Sequence, residues 1–558
     1  MGVYLNSRSA YSLFRRDYAS TYFVDKTDIL AELVPLVELG EKEGEESASF
    51  QGKGQKYVAI TRPRRFGKTV MANMIVSYFG RGTDSSGLFC NLKAAKYDWY
   101  EEHLNKHNVI HIVLNEMPRE CKAYGQYISR FEKGLLTDLQ KAYPDAEIEK
   151  DDALWDALTK VHEYCGGEKF IFVLDEWDCI FHKRFVTDAD RAAYIDFLSN
   201  LLKDKAYVEM AYMTGILPIA KYSSGSELNM FFEYSMATKV KYSEYFGFTD
   251  TEVDMLYRKY QNTQSRPAVS REGLELWYDG YQTAGGLKLY NPRSVVGALS
   301  DNQLSSYWTS SGPYDEIFYY IGANTDAVKD DVAAMVADNP VQAKIQEYAA
   351  TSMELKTKDE IFSAMVVYGF LNYKDGYVSI PNKELLDKFA EVVQREPSLG
   401  NVYKLTRESG RMLAATKAGD TKTMTELMEY AHNTHSPLQA YNNEAELASI
   451  LRWVYLKALD FYRIEREDKA GVGYVDLIFY PIVAKSDDCI IIELKVNHTA
   501  EEAIQQIKDR RYALRFEGKF GENPEYTGRI LAVGIAYSKE DENKRHECKV
   551  EVLRERIK

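Results

Sequence analysis

Several features are scarce or missing in this chain. Its six cysteines, at positions 90, 121, 165, 179, 489 and 548, contain no C-x-x-C pair. That argues against a zinc site and against a disulfide framework, and it suits a reducing compartment. No apolar run approaches the ~20 residues that cross a bilayer. The first residues lack a basic stretch followed by an apolar one, so a secretory signal is not expected. Met1-Gly2 opens like an acylation string, but position 6 is Asn rather than Ser or Thr. A surplus of positive charge is missing too: the net charge is −14, which offers no support for wholesale nucleic-acid binding. The deficit is uneven, because from Tyr441 onward 20 Lys+Arg face 22 Asp+Glu. A near-neutral tail permits a local basic groove. These absences lead us to expect a cytoplasmic protein with no membrane partner. At 558 residues the chain is too long for one core.

The clearest feature that is present is Arg62-Pro63-Arg64-Arg65-Phe66-Gly67-Lys68-Thr69. It follows the apolar run Tyr57-Val58-Ala59-Ile60 and precedes a helix-compatible stretch from Val70 to Val76. Strand, tight loop, then helix is the context of a phosphate-binding loop. The helix start would offer N–H groups and a positive dipole end to phosphates. Lys68 would add a point charge and Thr69 a hydroxyl for Mg²⁺, with Arg64, Arg65, Phe66 and Gly67 completing the loop. The leading glycine of G-x-x-x-x-G-K-[ST] is absent; Arg62 stands there. A second run compensates. Lys169-Phe170-Ile171-Phe172-Val173-Leu174 delivers Asp175-Glu176 at the end of an apolar strand. Asp175 would serve Mg²⁺ and Glu176 would polarise the attacking water of an ATPase.

With these residues the sequence resembles AAA-ATPase-like proteins of bacteria and some microbial eukaryotes that carry a PD-(D/E)XK nuclease-like C-terminus. The resemblance extends through Tyr22-Phe23-Val24-Asp25-Lys26-Thr27, Leu174 to Asp178, Thr214-Gly215-Ile216, Phe246-Gly247-Phe248-Thr249, Trp277 to Tyr281 and Tyr290 to Ser294. Arginine-rich loops without the first glycine look usual in that group, and ATP with Mg²⁺ is what the resemblance implies.

From Lys56 to about Asp250, short apolar strands alternate with longer helical stretches. Strands are expected at Tyr57–Thr61, Val109–Leu114, Phe170–Leu174, Val208–Thr214 and Thr238–Tyr242, as a parallel sheet with helices on both faces. Every candidate ligand then lies beyond the C-terminal ends of strands. Thr214 is placed either as a polar sensor of the γ-phosphate or as a strand-end threonine satisfying backbone. Thr249-Asp250-Thr251-Glu252 opens a helix with a capping pattern, and residues 251–300 read as a helical lid. An arginine there, such as Arg293, is more ordinarily solvated or ion-paired than phosphate-bound. Residues 301–440 read as mainly helical, with Phe370 to Ile380 alternating around Asp375-Gly376, a two-residue hairpin signal. Helix, hairpin and helix together resemble a winged-helix unit, for which packing is favoured over DNA binding because basic residues are few.

The domain plan is therefore 1–250, 251–300, 301–440 and 441–558. The fold class is α/β throughout: an ASCE/AAA-like P-loop domain, the lid, the winged-helix-like middle and a restriction-endonuclease-like tail. In the tail, Gly473-Tyr474-Val475-Asp476-Leu477-Ile478-Phe479 precedes Cys489-Ile490-Ile491-Ile492-Glu493-Leu494-Lys495-Val496. As adjacent strands these would put Glu493 and Lys495 on one face, opposite Leu494. Asp476 and Glu493 are hard oxygen ligands suited to Mg²⁺, and Lys495 would orient water and stabilise phosphate charge. These positions match the PD-(D/E)XK core. Glu444, opening a helix, and Gln506, on the helix after the catalytic strand, fill supporting positions of that pattern. Tyr474 departs from it, because related chains often read Gly-Arg-x-Asp there.

The expectation is an ATP-powered or ATP-gated nuclease acting on DNA, with RNA and a homo-oligomeric assembly left open. The alternative is an ATP-held regulatory switch of the STAND type whose nuclease-like module only binds nucleic acid or a protein.

Overall fold

The computed structural model describes all residues except 1, 42–55, 184, 220–226, 309–319, 322–324, 338, 346–354, 356, 396–400, 436–442, 471–472, 483, 518–525, 542–544 and 558. The chain forms two compact units, Met1–Asn324 with Gln342–Glu384, and Thr325–Val341 with Leu385–Lys558. The stretch 301–440 is thus shared between them.

The first unit is built on five strands: β1 (Tyr57–Thr61), β2 (Val109–Val113), β3 (Phe170–Asp175), β4 (Val208–Gly215) and β5 (Phe232–Ser235). They pair in the order β2-β3-β4-β1-β5, and every pairing is parallel. Strands covered on both faces should read as unbroken apolar runs, and β1, β3 and β4 are buried along their whole lengths. Because β4 lies between β1 and β3, Thr214 stands beside Ile60 and near the Asp175 end of β3. The helix Lys68–Phe79 packs into the core with Val58, Ile60, Val173 and Met210.

The fifth strand departs from expectation. It is Phe232–Ser235, whereas Thr238–Tyr242 forms turns, and Tyr242 has φ 65. A bulky residue in left-handed conformation cannot continue a strand.

The helices Asp250–Thr263, Arg271–Tyr278 and Pro292–Asp301 follow. The first begins in the expected capping box, Thr249 accepting from the Glu252 amide and Glu252 from the Thr249 amide. Tyr22 and Val24 pack into the core of this cluster. Further on, Lys358–Tyr368 starts at a Thr357/Glu360 box and stops at Gly369, φ 84. The hairpin Asn372–Lys374 with Tyr377–Ser379 turns on Asp375 and Gly376, both at positive φ, the geometry of a primed turn.

The second unit carries a mixed sheet of five strands, Tyr462–Ala470, Gly473–Pro481, Cys489–Val496, Ile530–Tyr537 and His546–Arg554, paired in that order. Only Cys489–Val496 and Ile530–Tyr537 run parallel, and the helix Ala500–Asp509 lies between them in the chain. A parallel pair requires such a crossover. Its Ile504 and Ile507 pack on Val475, Ile478 and Ile491 of the sheet. Among the described residues no helix is long and apolar enough to cross a membrane.

Candidate functional site

Two groups of buried charged residues stand out, one in each unit. In the first, the chain leaves β1, turns through Arg62–Gly67 and enters the Lys68 helix. Arg65 (φ 71) and Gly67 (φ 90) take left-handed conformations, so the loop curls back over the helix start. The first helical amides have no intrahelical acceptor. Lys68 is buried, and its Nζ donates to the carbonyls of Arg62 and Pro63, both at 2.9 Å. Burial pushes its ammonium down to about 8, opposed by the charges of Asp178, Asp175 and Glu176.

Arg62 explains the missing glycine. Its side chain is 1% exposed and donates to the carbonyls of Thr61 (2.8 Å) and Tyr234 (2.7 Å). Its guanidinium lies 5.1 Å from the Phe246 ring centroid. The side chain therefore ties the end of β1 to edge strand β5 and to the segment that follows.

Asp175 is fully buried. Its Oδ1 accepts from Thr214 Oγ1 at 2.5 Å and from the Glu176 amide at 3.1 Å. Its Oδ2 is buried with no hydrogen-bond partner, an orphaned oxygen that fits a cation-bound water shell. Glu176 sits at φ 55 and accepts from Asn115 Nδ2. Burial, followed by the Asp175 charge, raises its carboxyl. Asp178 accepts from the amides of Ile216 (3.1 Å) and Leu217 (2.9 Å), and the Trp177 indole donates to the Leu217 carbonyl. Gly215 has to be small, since a Cβ there would come within 2.3 Å of Trp177.

Lys68, Glu176 and Asp178 open onto a cleft of about 930 Å³. Lys68, Thr69, Glu176 and Asn115 line it, as do the apolar side chains of Phe14, Phe23 and Val24. Arg64, Arg65 and Arg293 also line it. Burial and then the charges of Arg293 and Arg64 press the Arg65 guanidinium down. Crowded cations in a concave, partly apolar pocket suit a polyanion with an apolar end. Of the residues singled out in the sequence, Arg64 to Thr69 and Glu176 line the cleft, whereas Asp175 and Thr214 are fully buried next to Glu176 and do not line it. Arg293 was passed over, although Asn291 caps its helix and accepts from its amide at 3.0 Å. An Asn-Pro-Arg helix start was the available signal. Asn115 carried none.

In the second unit, Leu477 pairs with Ile492 across the antiparallel strands, and the same register brings Asp476 opposite Glu493. Asp476 Oδ2 accepts from the Leu494 amide at 2.8 Å. Glu493 is 3% exposed; its Oε1 accepts from Lys495 Nζ at 3.3 Å and from Gln506 Nε2. Its Oε2 is buried with no hydrogen-bond partner. Burial, then the Asp476 charge, pushes the Glu493 carboxyl up to about 7. Asp476 is raised as well, chiefly by burial, with Glu444 adding to it. Glu444 Oε1 accepts from the Val496 amide at 3.4 Å, so it holds the end of the Glu493 strand. A Cβ at Gly534, beside Glu493 on the next strand, would meet the Ala500 carbonyl at 2.2 Å. That small residue lets the Gln506 helix lie close over the carboxylates.

Among the described residues no set of three or more His, Cys, Asp or Glu side chains forms a ready metal cage. Two carboxylates with one orphaned oxygen fit Mg²⁺, which takes one or two protein ligands and completes its shell with water and phosphate.

Comparison with known proteins agrees with this division. Residues 48–224 match the family model described as a predicted AAA-ATPase. Residues 442–547 match that of the PD-(D/E)XK nuclease superfamily. No curated protein matches the chain. Among solved structures, a Walker-type ATPase of Pyrococcus abyssi is 10% identical, covering 64% of this chain and 94% of its own at a TM-score of 0.35. The ORC2 protein of Aeropyrum pernix is 10% identical over 69% and 98%, TM-score 0.35. The ORC1 protein of the same organism in complex with DNA is 12% identical over 70% and 98%, TM-score 0.26. The chain thus carries one segment that matches the predicted AAA-ATPase model and another that matches the PD-(D/E)XK nuclease superfamily model.

Proposed function

We propose that this protein binds and hydrolyses ATP and, gated by that nucleotide, cuts DNA at a Mg²⁺-dependent centre in its tail. The observation that carries the reading is Glu493: a buried carboxylate with one oxygen held by Lys495 and Gln506, the other unpartnered, and Asp476 across from it. A divalent cation on Asp476 and Glu493 would neutralise developing phosphodiester charge as a Lewis acid. Lys495 orients the attacking water and adds positive charge beside the phosphate. Gln506 fixes the Glu493 carboxylate, and Glu444 fixes the strand that bears it.

In the front cleft Lys68 and the helix-start amides take the β- and γ-phosphates, with Arg64 and Arg65 at the rim. Thr69 and Asp175 are the Mg²⁺ side of that site. Glu176, its carboxyl raised by burial, is the base for the attacking water, and Thr214 couples the γ-phosphate end to Asp175.

The test is incubation with DNA, Mg²⁺ and ATP, alongside Lys68→Ala and Lys495→Ala. Cleavage by the wild type that both substitutions abolish supports the reading. Equal behaviour of wild type and Lys495→Ala removes its nuclease half. One observation favours a second reading, the ATP-held switch with a binding-only tail: among the described residues no third metal-ligating side chain joins the Asp476–Glu493 pair. That protein would hydrolyse ATP slowly and keep its partner after Lys495→Ala.

A further inference from the structure

The helix Lys358–Tyr368 and the hairpin after it read in the sequence as a winged-helix-like unit suited to packing. Within the first unit they touch the phosphate loop directly. Gly369 ends the helix at φ 84, and a Cβ built there would lie 2.6 Å from Pro63 Cβ. The Arg64 guanidinium lies 5.9 Å from the Tyr368 ring centroid, while Arg64 also lines the cleft. Tyr281 bridges the two parts. Its ring meets Phe66 edge-on at 5.0 Å, and its hydroxyl donates to the Gly369 carbonyl at 3.1 Å.

A second attachment runs through Glu384. The buried Glu384 accepts from the Trp308 amide at 2.6 Å and from Ser294 Oγ at 2.7 Å. Trp308 lines the cleft and stacks on Phe370 at 5.6 Å, and Ser294 follows the cleft arginine Arg293. The segment from Tyr368 to Glu384 is therefore fastened to the loop and, through Glu384, to Trp308 and Ser294.

We propose that this helix–hairpin segment reads the occupancy of the cleft, and that Arg64 is the moving part. In the structure the guanidinium lies near the Tyr368 ring. A nucleoside triphosphate offers it a phosphate oxygen instead, a stronger partner than an aromatic face. Arg64 then leaves the ring, and the end of the helix loses one of its holds on the loop. Cores and interfaces of this kind have discrete arrangements rather than a continuum. The inference rests on the nucleotide reading of the cleft and adds the element that reports it.

The test is amide hydrogen exchange of the full chain with and without ATPγS, beside a direct measurement of ATPγS affinity, for wild type, Tyr368→Leu and Tyr368→Phe. We expect exchange across residues 365–378 to change at least about twofold when the analogue binds the wild type. Phe keeps the ring and keeps that response; Leu loses it. Because the ring competes for Arg64, Tyr368→Leu should bind the analogue about two- to fivefold more tightly. Both variants keep an apolar side chain in the pocket formed with Tyr320 and Phe370, and thermal unfolding confirms that they fold. A wild type that binds ATPγS with unchanged exchange overturns the inference and leaves the nucleotide reading standing, as does a response that survives in Tyr368→Leu. A wild type that does not bind ATPγS overturns both.

Discussion

In the front cleft a buried lysine sits among Asp175, Glu176 and Asp178, with Arg64, Arg65 and Arg293 lining the same hollow. In the tail a buried carboxylate, Glu493, and a half-buried one, Asp476, influence each other with Glu444 nearby, and Lys495 is bonded to Glu493. The strain in each site shows what would relieve it. Cations crowd one another in the front, where the Arg65 guanidinium is pressed down by burial, Arg293 and Arg64. Carboxylates crowd one another in the tail, where Glu493 is pushed up to about 7. The first arrangement is preorganised for a polyanion and the second for a divalent cation. Both keep one buried carboxylate oxygen unpartnered, Asp175 Oδ2 and Glu493 Oε2, so the difference lies in the surrounding charges.

The largest effects should come from crossing the two sites. Lys495→Ala should lower DNA cleavage by about 10³-fold, within the range of a lost acid–base or charge-stabilising group, and leave ATPγS affinity within twofold. Lys68→Ala should lower ATPγS affinity by about 100-fold, the loss of charge-assisted phosphate contacts, and leave Mn²⁺ binding by the tail unchanged. Gel assays of cleavage and calorimetric titrations read both, and effects that fail to separate break the comparison.

Next in size is Arg62→Gly, which restores the usual loop pattern. It removes two hydrogen bonds to buried carbonyls and the Phe246 stacking, so stability of the first unit should fall by about 3 kcal/mol, read by denaturant unfolding. Nucleotide affinity should not improve.

Smaller still is the effect of Glu493→Gln in metal-free protein. A carboxyl raised on folding contributes stability at pH below its unfolded value, and that contribution is lost as pH rises through about 7. The variant should therefore gain on the wild type between pH 5 and pH 8, by about 1–3 kcal/mol, followed as the shift in denaturation midpoint. Added Mn²⁺ should erase the gain by stabilising only the wild type.

The smallest effect is in the front. Lys68 must be charged to attract phosphate, and its ammonium titrates at about 8. ATPγS affinity should therefore weaken a few-fold between pH 7 and pH 9, and Lys68→Met should flatten the profile.

Much of this was legible in the sequence. β1 to β4 are short, mainly apolar runs; Asp175 and Thr214 stand at the carboxyl ends of β3 and β4, Lys68 follows β1 after one loop, and burial enforces that pattern. The Thr249/Glu252 box and the Asp375-Gly376 turn are local devices, and each acts within a few residues. β5 was not legible, because Phe232–Ser235 is a short edge strand with its first residue exposed, so it lacks the continuous apolar character that marked the others. The absence of the loop's first glycine was visible, yet the reason was not: the partners of Arg62 are Tyr234 and Phe246, about 170 and 180 residues away. Arg293 escaped for the same cause. In the tail, spacing brought Asp476, Glu493 and Lys495 together and the family resemblance added Gln506; adjacent strands and the next helix are near in both chain and space. What spacing did not give was the crowding that lifts Glu493, which depends on burial beneath that helix.

The most direct measurement is anomalous diffraction from a crystal of the full chain soaked in Mn²⁺. The account predicts a manganese peak bridging the carboxylates of Asp476 and Glu493 that vanishes in Glu493→Gln. A soaked crystal with the two carboxylates in place and no manganese between them would contradict it.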